Sequence, residues 1–242
     1  MKKAFRIVAA VSLIVMLTGC GFLDSYMITP PEDTAQELFE SGKESMTDKN
    51  YSDAVGFFTK LKDRYPFSPY TPSAELALGD AFFMDEKYEQ AADAYMEFEA
   101  LHPRHEEIPY VLYQIGVSRY KSFSSIDKPL RHVNEAMEYF NRVKENYPDT
   151  RYAKEADAYI AGCRQYMADH ELYVADFYWR TKEYRAAWLR YQAIADEFKD
   201  LPEVRTYSLK RSKLSYMRFQ KGSSEAVREK EQGSWKNWFE WL

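Results

Sequence analysis

Three places in this chain could do chemistry by residue type and spacing. Cys20, behind the small pair Thr18-Gly19, offers a thiol nucleophile where backbone bulk is least. His170-Glu171-Leu172-Tyr173-Val174 opens like the zinc-binding H-E-x-x-H helix. A valine stands where the second histidine belongs, so no zinc site closes. His102 and His105, beside Glu106 and Glu107, have the side-chain types of a metal site, yet their placement after a helix reads as a loop. No G-x-S-x-G elbow, P-loop or Cys–His pairing occurs. Cys163, between Gly162 and Arg164, reads as a small packing residue rather than a reactive thiol. Two cysteines build no disulfide framework. The expectation is a non-enzyme with no metal and no cofactor, in which Cys20 is the one reactive group.

The setting of Cys20 is an export signal. Lys2, Lys3 and Arg6 precede an apolar run from Ile7 to Leu17. That run is shorter than the roughly 20 apolar residues a membrane-spanning helix needs. It ends in Leu17-Thr18-Gly19-Cys20, which resembles the lipobox of bacterial lipoproteins. The resemblance implies cleavage before Cys20, diacylglyceryl transfer to its thiol and acylation of the new N-terminus. Gly21, where inner-membrane retention would favour Asp, implies sorting to the outer membrane. Three acyl chains, at about 0.8 kcal/mol per buried methylene, make a durable anchor. The expected layout is a signal peptide over 1–19 and a lipidated tether over 20–33, with Pro30-Pro31 stiffening its end.

The elements that follow repeat. Asp33 or Thr34 can cap a first helix, with Glu37 next to accept from its backbone. Gly42, Tyr51, Ala54, Phe58 and Pro66 recur 37 residues on as Gly79, Tyr88, Ala91, Tyr95 and Pro103. A third copy starts on time at Gly116, but its second half (Ala136, Phe140, Val143, Pro148) arrives 8 residues late. The delay maps to a polar insertion from Ser122 to Val133. This is the pattern of tetratricopeptide repeats, helix–turn–helix units of about 34 residues. Glycines sit where the first helix presses on the second, with Ala54 and Ala91 expected to face them. The prolines stop each second helix. Tyr152 to Arg180 reads as one long helix, Tyr184 to Ile194 repeats the second-helix signature, and Glu203 to Lys221 reads as a final helix. The predicted fold is all-α: a solenoid of about five repeats over 34–221, divided at 34–70, 71–107, 108–151, 152–199 and a partial 200–221. An aromatic tail occupies 222–242.

Composition agrees with a helical binding module. Hydrophobic residues make up 45%, ample for a core, and glycine and proline are scarce for an all-β chain. The net charge of −5 becomes −8 once Lys2, Lys3 and Arg6 leave with the signal, which argues against nucleic acid as a partner. Against that acidity, Arg205 to Lys221 carries six cations and no acid, either a solvated helix face or, with Lys210, Arg211 and Lys213 as candidates, a dock for an acidic partner surface or for anionic groups near the membrane. Val204, Tyr207, Leu214 and Met217 are expected to form the buried face of the same helix. In the tail, Trp235, Trp238, Phe239 and Leu242 fall on one helical stripe, expected either to cap the open end of the solenoid or to meet a partner or the lipid interface. Capping is favoured because an uncovered terminal face would aggregate.

Several junctions carry a more specific resemblance. Arg64-Tyr65-Pro66-Phe67-Ser68-Pro69-Tyr70, Leu101-His102-Pro103 with Tyr110, Tyr113 and Gly116, Tyr147-Pro148-Asp149-Thr150-Arg151-Tyr152, and His170 to Ala175 through Arg190 together resemble the BamD family. Its members are lipoprotein subunits of the outer-membrane β-barrel assembly machinery. Where that family often carries an Asp-Arg-Asp run, this chain has Asp127-Lys128-Pro129. The resemblance implies a scaffold on the periplasmic face of the outer membrane. Its C-terminal repeats would dock on a POTRA domain of a BamA-like barrel subunit, with other lipoproteins of the machinery as further partners. Its N-terminal repeats would meet unfolded outer-membrane proteins. Arg64, Tyr65, Phe67 and Tyr70 are the client-binding candidates, with Tyr65 and Phe67 either packing between repeats or lining a groove. Arg190 is a partner-binding candidate, either pairing with a carboxylate of the partner or held in an internal salt bridge. A different tetratricopeptide lipoprotein, serving peptidoglycan enzymes, a secretin or exopolysaccharide assembly, is the alternative.

Overall fold

A computed structural model of the protein describes residues 33–232. Cys20 and the Trp235–Leu242 stripe lie outside the described residues. Within them the chain forms nine helices: α1 (Ala35–Thr47), α2 (Tyr51–Arg64), α3 (Thr71–Met84), α4 (Tyr88–Leu101), α5 (Ile108–Ser122), α6 (Arg131–Asn146), α7 (Arg151–Arg180), α8 (Tyr184–Glu197) and α9 (Pro202–Gln232). Each packs on the helix before and after it, giving an all-α solenoid of four helical hairpins closed by α9. The last helix continues past Lys221, where the sequence pattern predicts its end.

Local chemistry sets the helix ends. Thr34 caps α1: its hydroxyl accepts from Glu37 N, and the Glu37 carboxylate accepts from Thr34 N at 2.8 Å. The second helices stop before Pro66, Pro103 and Pro148. A proline bars its predecessor from the helical region, and Tyr65, His102 and Tyr147 share one conformation: φ −128°, ψ 53°; φ −127°, ψ 55°; φ −137°, ψ 51°. Within hairpins the turn residue takes a left-handed conformation at Lys49, Glu86 and Lys182.

The repeat glycines do mark close contacts, but their partner differs from the expectation. A Cβ on Gly79 would lie 2.6 Å from Cδ1 of Tyr95, and one on Gly116 would lie 2.7 Å from Cε1 of Phe140. Phe58 does the same to Gly42. The glycine thus admits the ring of its own unit's second helix, while Ala54 and Ala91 are buried one turn earlier. A ring needs more clearance than a methyl group, so the ring is what requires the glycine.

The insertion of the third unit and the length of α7 are one feature. Phe123 packs on Tyr166 at 4.8 Å, and the His170 ring donates from Nδ1 to the carbonyl of Ile126 at 2.6 Å. The second half of α7 thereby pins the loop from 123 to 130. Gly162 on α7 makes room for the Tyr120 hydroxyl, 2.6 Å from where its Cβ would be.

The final helix departs from its predicted face. Val204 is buried, but Tyr207, Leu214 and Met217 are exposed, and Ser208, Ser212 and Ser215 are buried in their place. Small serines let α9 approach α8 closely, while Trp188 reaches up beside Tyr216 and Phe219. The bulky apolar residues are left outside.

Candidate functional site

The N-terminal candidates sit at the junction between α2 and α3. Tyr65 is held, its hydroxyl donating to the Asp33 carbonyl at 2.8 Å and its ring resting on the first core cluster. Tyr70 packs against Phe39 at 5.5 Å. Both are largely structural. Phe67, by contrast, is 98% exposed, and Arg64 is exposed and makes no ion pair among the described residues. The loop between them is rigid because Thr71 donates its hydroxyl back to the Tyr65 carbonyl at 2.6 Å. One aromatic ring is thus presented on a fixed turn.

The C-terminal candidates divide. Lys210 and Lys213 are exposed and make no ion pair among the described residues. Arg211 turns inward instead: its Cζ lies 4.3 Å from the Trp179 ring centre and its Nη2 3.5 Å from Asp176. Arg190 is bonded internally to Glu171 at 3.2 Å and lies over Tyr178, although both partners stay partly open to water. Around the two free lysines lie the exposed Leu209, Leu214, Tyr216 and Met217. Exposed apolar side chains flanked by unpaired cations suit an acidic, partly apolar partner.

Two polar networks escaped the sequence reading. In the second unit, Tyr95 and Tyr110 both donate to Asp80 Oδ1 at 2.6 Å, and Gln114 donates to the Tyr110 hydroxyl at 2.9 Å. In the fourth, Tyr191 and Tyr207 donate to Asp176 Oδ1, where Arg211 completes the set. Burial pushes the Asp80 carboxyl above its ordinary range, opposed by the two tyrosine hydroxyls. A signal was available in the repeat itself. Where the second helix carries Tyr in place of Phe, an Asp follows the small residue of the first helix, as in Gly79-Asp80 and Ala175-Asp176. The units with Phe58 and Phe140 have Lys43 and Val117 there. A buried hydroxyl needs an acceptor.

Among the described residues, those that invited a chemical reading have packing roles. His102 Nε2 is 2.6 Å from the buried Glu75 carboxylate, and its ring packs at a tilt against Phe98, with His105 edge-on to the same ring. Cys163 is fully buried, and burial pushes its thiol up to about 12, so little thiolate forms at neutral pH. Among the described residues no cluster of three His, Cys, Asp or Glu side chains could hold a metal, and no helix is long and apolar enough to cross a membrane.

The YfiO family, whose description is outer membrane lipoprotein, matches residues 31–231. An outer membrane protein assembly factor BamD from Neisseria meningitidis serogroup B is 25% identical, over 89% of this chain and 85% of its own length. The BamD of Rickettsia prowazekii is 28% identical over 81% of this chain and 78% of its own, and that of Vibrio cholerae is 22% identical over 83% and 86%. With the matched stretch running from the tether through all four hairpins into α9, the chain belongs to the YfiO family of outer membrane lipoproteins.

Proposed function

We propose that this protein is a lipid-anchored scaffold of outer-membrane protein assembly, held on the periplasmic face and working without catalysis. Its C-terminal end docks a POTRA-containing barrel subunit, and its N-terminal end receives unfolded barrel clients. The observation that carries the reading is α9. This terminal helix seats itself through serines and leaves Leu209, Leu214 and Met217 in water beside Lys210 and Lys213. The assembly role named for the N. meningitidis and R. prowazekii relatives supports it. Phe67 is the client-facing residue, since its ring stands 98% exposed among the described residues.

Three substitutions in α9, Lys210→Glu, Lys213→Glu and Leu214→Ala, should weaken co-purification of the barrel subunit. The loss should deepen as salt is lowered and the reversed charges repel, with an unchanged melting temperature. Capture of a peptidoglycan hydrolase or a secretin in place of a barrel subunit would reject the reading and favour the alternative. Phe67→Ala should cut crosslinking to an unfolded client about tenfold, the scale of losing an aromatic anchor. Full crosslinking would put the client elsewhere.

The anchor is tested separately. Because Cys20 supplies both the nucleophile and the acyl acceptor, Cys20→Ser should leave an unprocessed precursor without lipid. A Cys20→Ser protein that still fractionates as acylated with the outer membrane would refute the assignment.

A further inference from the structure

The second and fourth units hold the same box, and only one of them is filled. In the fourth, the Tyr191 and Tyr207 rings stand 6.4 Å apart at 75°, Trp179 meets Tyr184 edge-on at 5.3 Å, and Asp176 takes both tyrosine hydroxyls. Into this enters Arg211, one turn beyond Tyr207. Its guanidinium covers Trp179 and lies within 3.5 Å of Asp176, and its Nε donates to the Tyr191 hydroxyl at 3.3 Å. In the second, the Tyr95 and Tyr110 rings stand 6.2 Å apart at 87°, Phe83 meets Tyr88 at 5.5 Å, and Asp80 takes both hydroxyls. One turn beyond Tyr110 stands Gln114, which reaches the Tyr110 hydroxyl but not the carboxylate.

Among the described residues, the second box therefore differs from the fourth in having no cation on its carboxylate. Asp80 Oδ2 has no hydrogen-bond partner among the described residues and none of their lysines or arginines pairs with the carboxylate, while the nearby Glu107 adds a second negative charge. Lys121 lies 5.8 Å from the Phe83 centre and 5.1 Å from that of Tyr88, the outer rim of the box, and makes no ion pair with Asp80. An acid beside aromatic faces binds a guanidinium by ion pairing and by the attraction of a cation to a π-face together. We propose that the box of Asp80, Phe83, Tyr95 and Tyr110 is a binding subsite for an arginine side chain of a bound polypeptide, seated as Arg211 is in its own chain. The inference deepens the client reading and rests on it only for whose arginine enters.

Titration calorimetry on the full-length protein in detergent, with an unstructured Gly/Ser peptide bearing one arginine and its citrulline twin, tests this. The arginine peptide should bind one site per chain, and the neutral citrulline peptide at least about tenfold more weakly. Gln114→Arg should fill the box from within and abolish binding. Arg211→Gln should empty the fourth box and raise the count to two sites per chain. Should Arg211→Gln unfold, Asp80→Asn, which keeps the hydroxyl acceptor and removes the charge, should lose the preference for arginine. Equal binding of the two peptides, or undiminished binding to a folded Gln114→Arg, would overturn the inference. A client-strand peptide run alongside separates the two ideas. If it binds the parent and Gln114→Arg alike while arginine and citrulline are not told apart, the subsite fails and the client reading stands. If the arginine peptide discriminates and no client strand binds, the client reading alone fails.

Discussion

Gly79→Leu is expected to destabilise the solenoid by about 3 kcal/mol or more, above the usual cost of overpacking. The reason is that nothing at the site can give way. The Tyr95 ring that would meet the new Cβ is fully buried, its hydroxyl is tied to Asp80, and the backbone of α3 is flanked by α2 and α4. A side chain there must either expel Tyr95, stranding the Asp80 carboxylate, or part the two helices of the hairpin. At roughly 2–4 °C per kcal/mol for a chain of this size, the melting point should fall by on the order of 10 °C. Gly56 supplies the control. Nothing lies within 4 Å of its Cβ position on the exposed side of α2, so Gly56→Ala should stabilise by about 0.5–1 kcal/mol. A Gly79→Leu protein that melts with the parent would mean that the Tyr95 ring does not sit against residue 79.

The second large effect belongs to Glu75, a carboxylate only 8% exposed on α3. Its partner is His102 at the end of α4, 2.6 Å away, in the conformation that Pro103 imposes. His102→Leu keeps much of the packing on Phe98 and removes the only hydrogen bond this carboxylate makes to another side chain among the described residues. Leaving a buried charged group unsatisfied should cost about 2–3 kcal/mol. The double variant Glu75→Leu with His102→Leu should recover most of that loss, because two apolar groups leave nothing stranded. Thermal melts of the two single variants and the double form a cycle that reads the pairing directly. A double variant no more stable than His102→Leu would show that the histidine acts by shape, through Phe98 and His105, and not as a partner for the acid.

Much of the fold was legible because its signals are local. Pro66, Pro103 and Pro148 each act on the residue before them, and Thr34 with Glu37 closes its own capping box. The interaction candidates were legible only by type. Arg64 to Tyr70 was singled out as a group, yet within it Tyr65 and Tyr70 face the core and Phe67 faces water. Prolines at 66 and 69 rigidify that turn, but which ring it turns outward depends on Asp33, just ahead of α1, and on Phe39 within α1. Arg211 was grouped with Lys210 and Lys213 because adjacent cations look alike in a string. On a helix they point in different directions, and only Arg211 points at Asp176.

What the sequence by itself determined is the all-α repeat, its period, the proline-set ends of the second helices and the positions where glycines give clearance. Each of these follows from backbone restrictions or from residue types recurring at one offset. The tertiary structure alone decided which face of α9 is buried, since serines win where close helix approach gains more than apolar bulk. It also decided that the late second half of the third unit and the extra turns of α7 are a single device, joined through His170 and the Ile126 carbonyl. And it decided that Asp80 and Asp176 sit in matching boxes with unequal contents. Such pairings join side chains on different helices, and their distance is set by how the helices cross rather than by spacing along the chain.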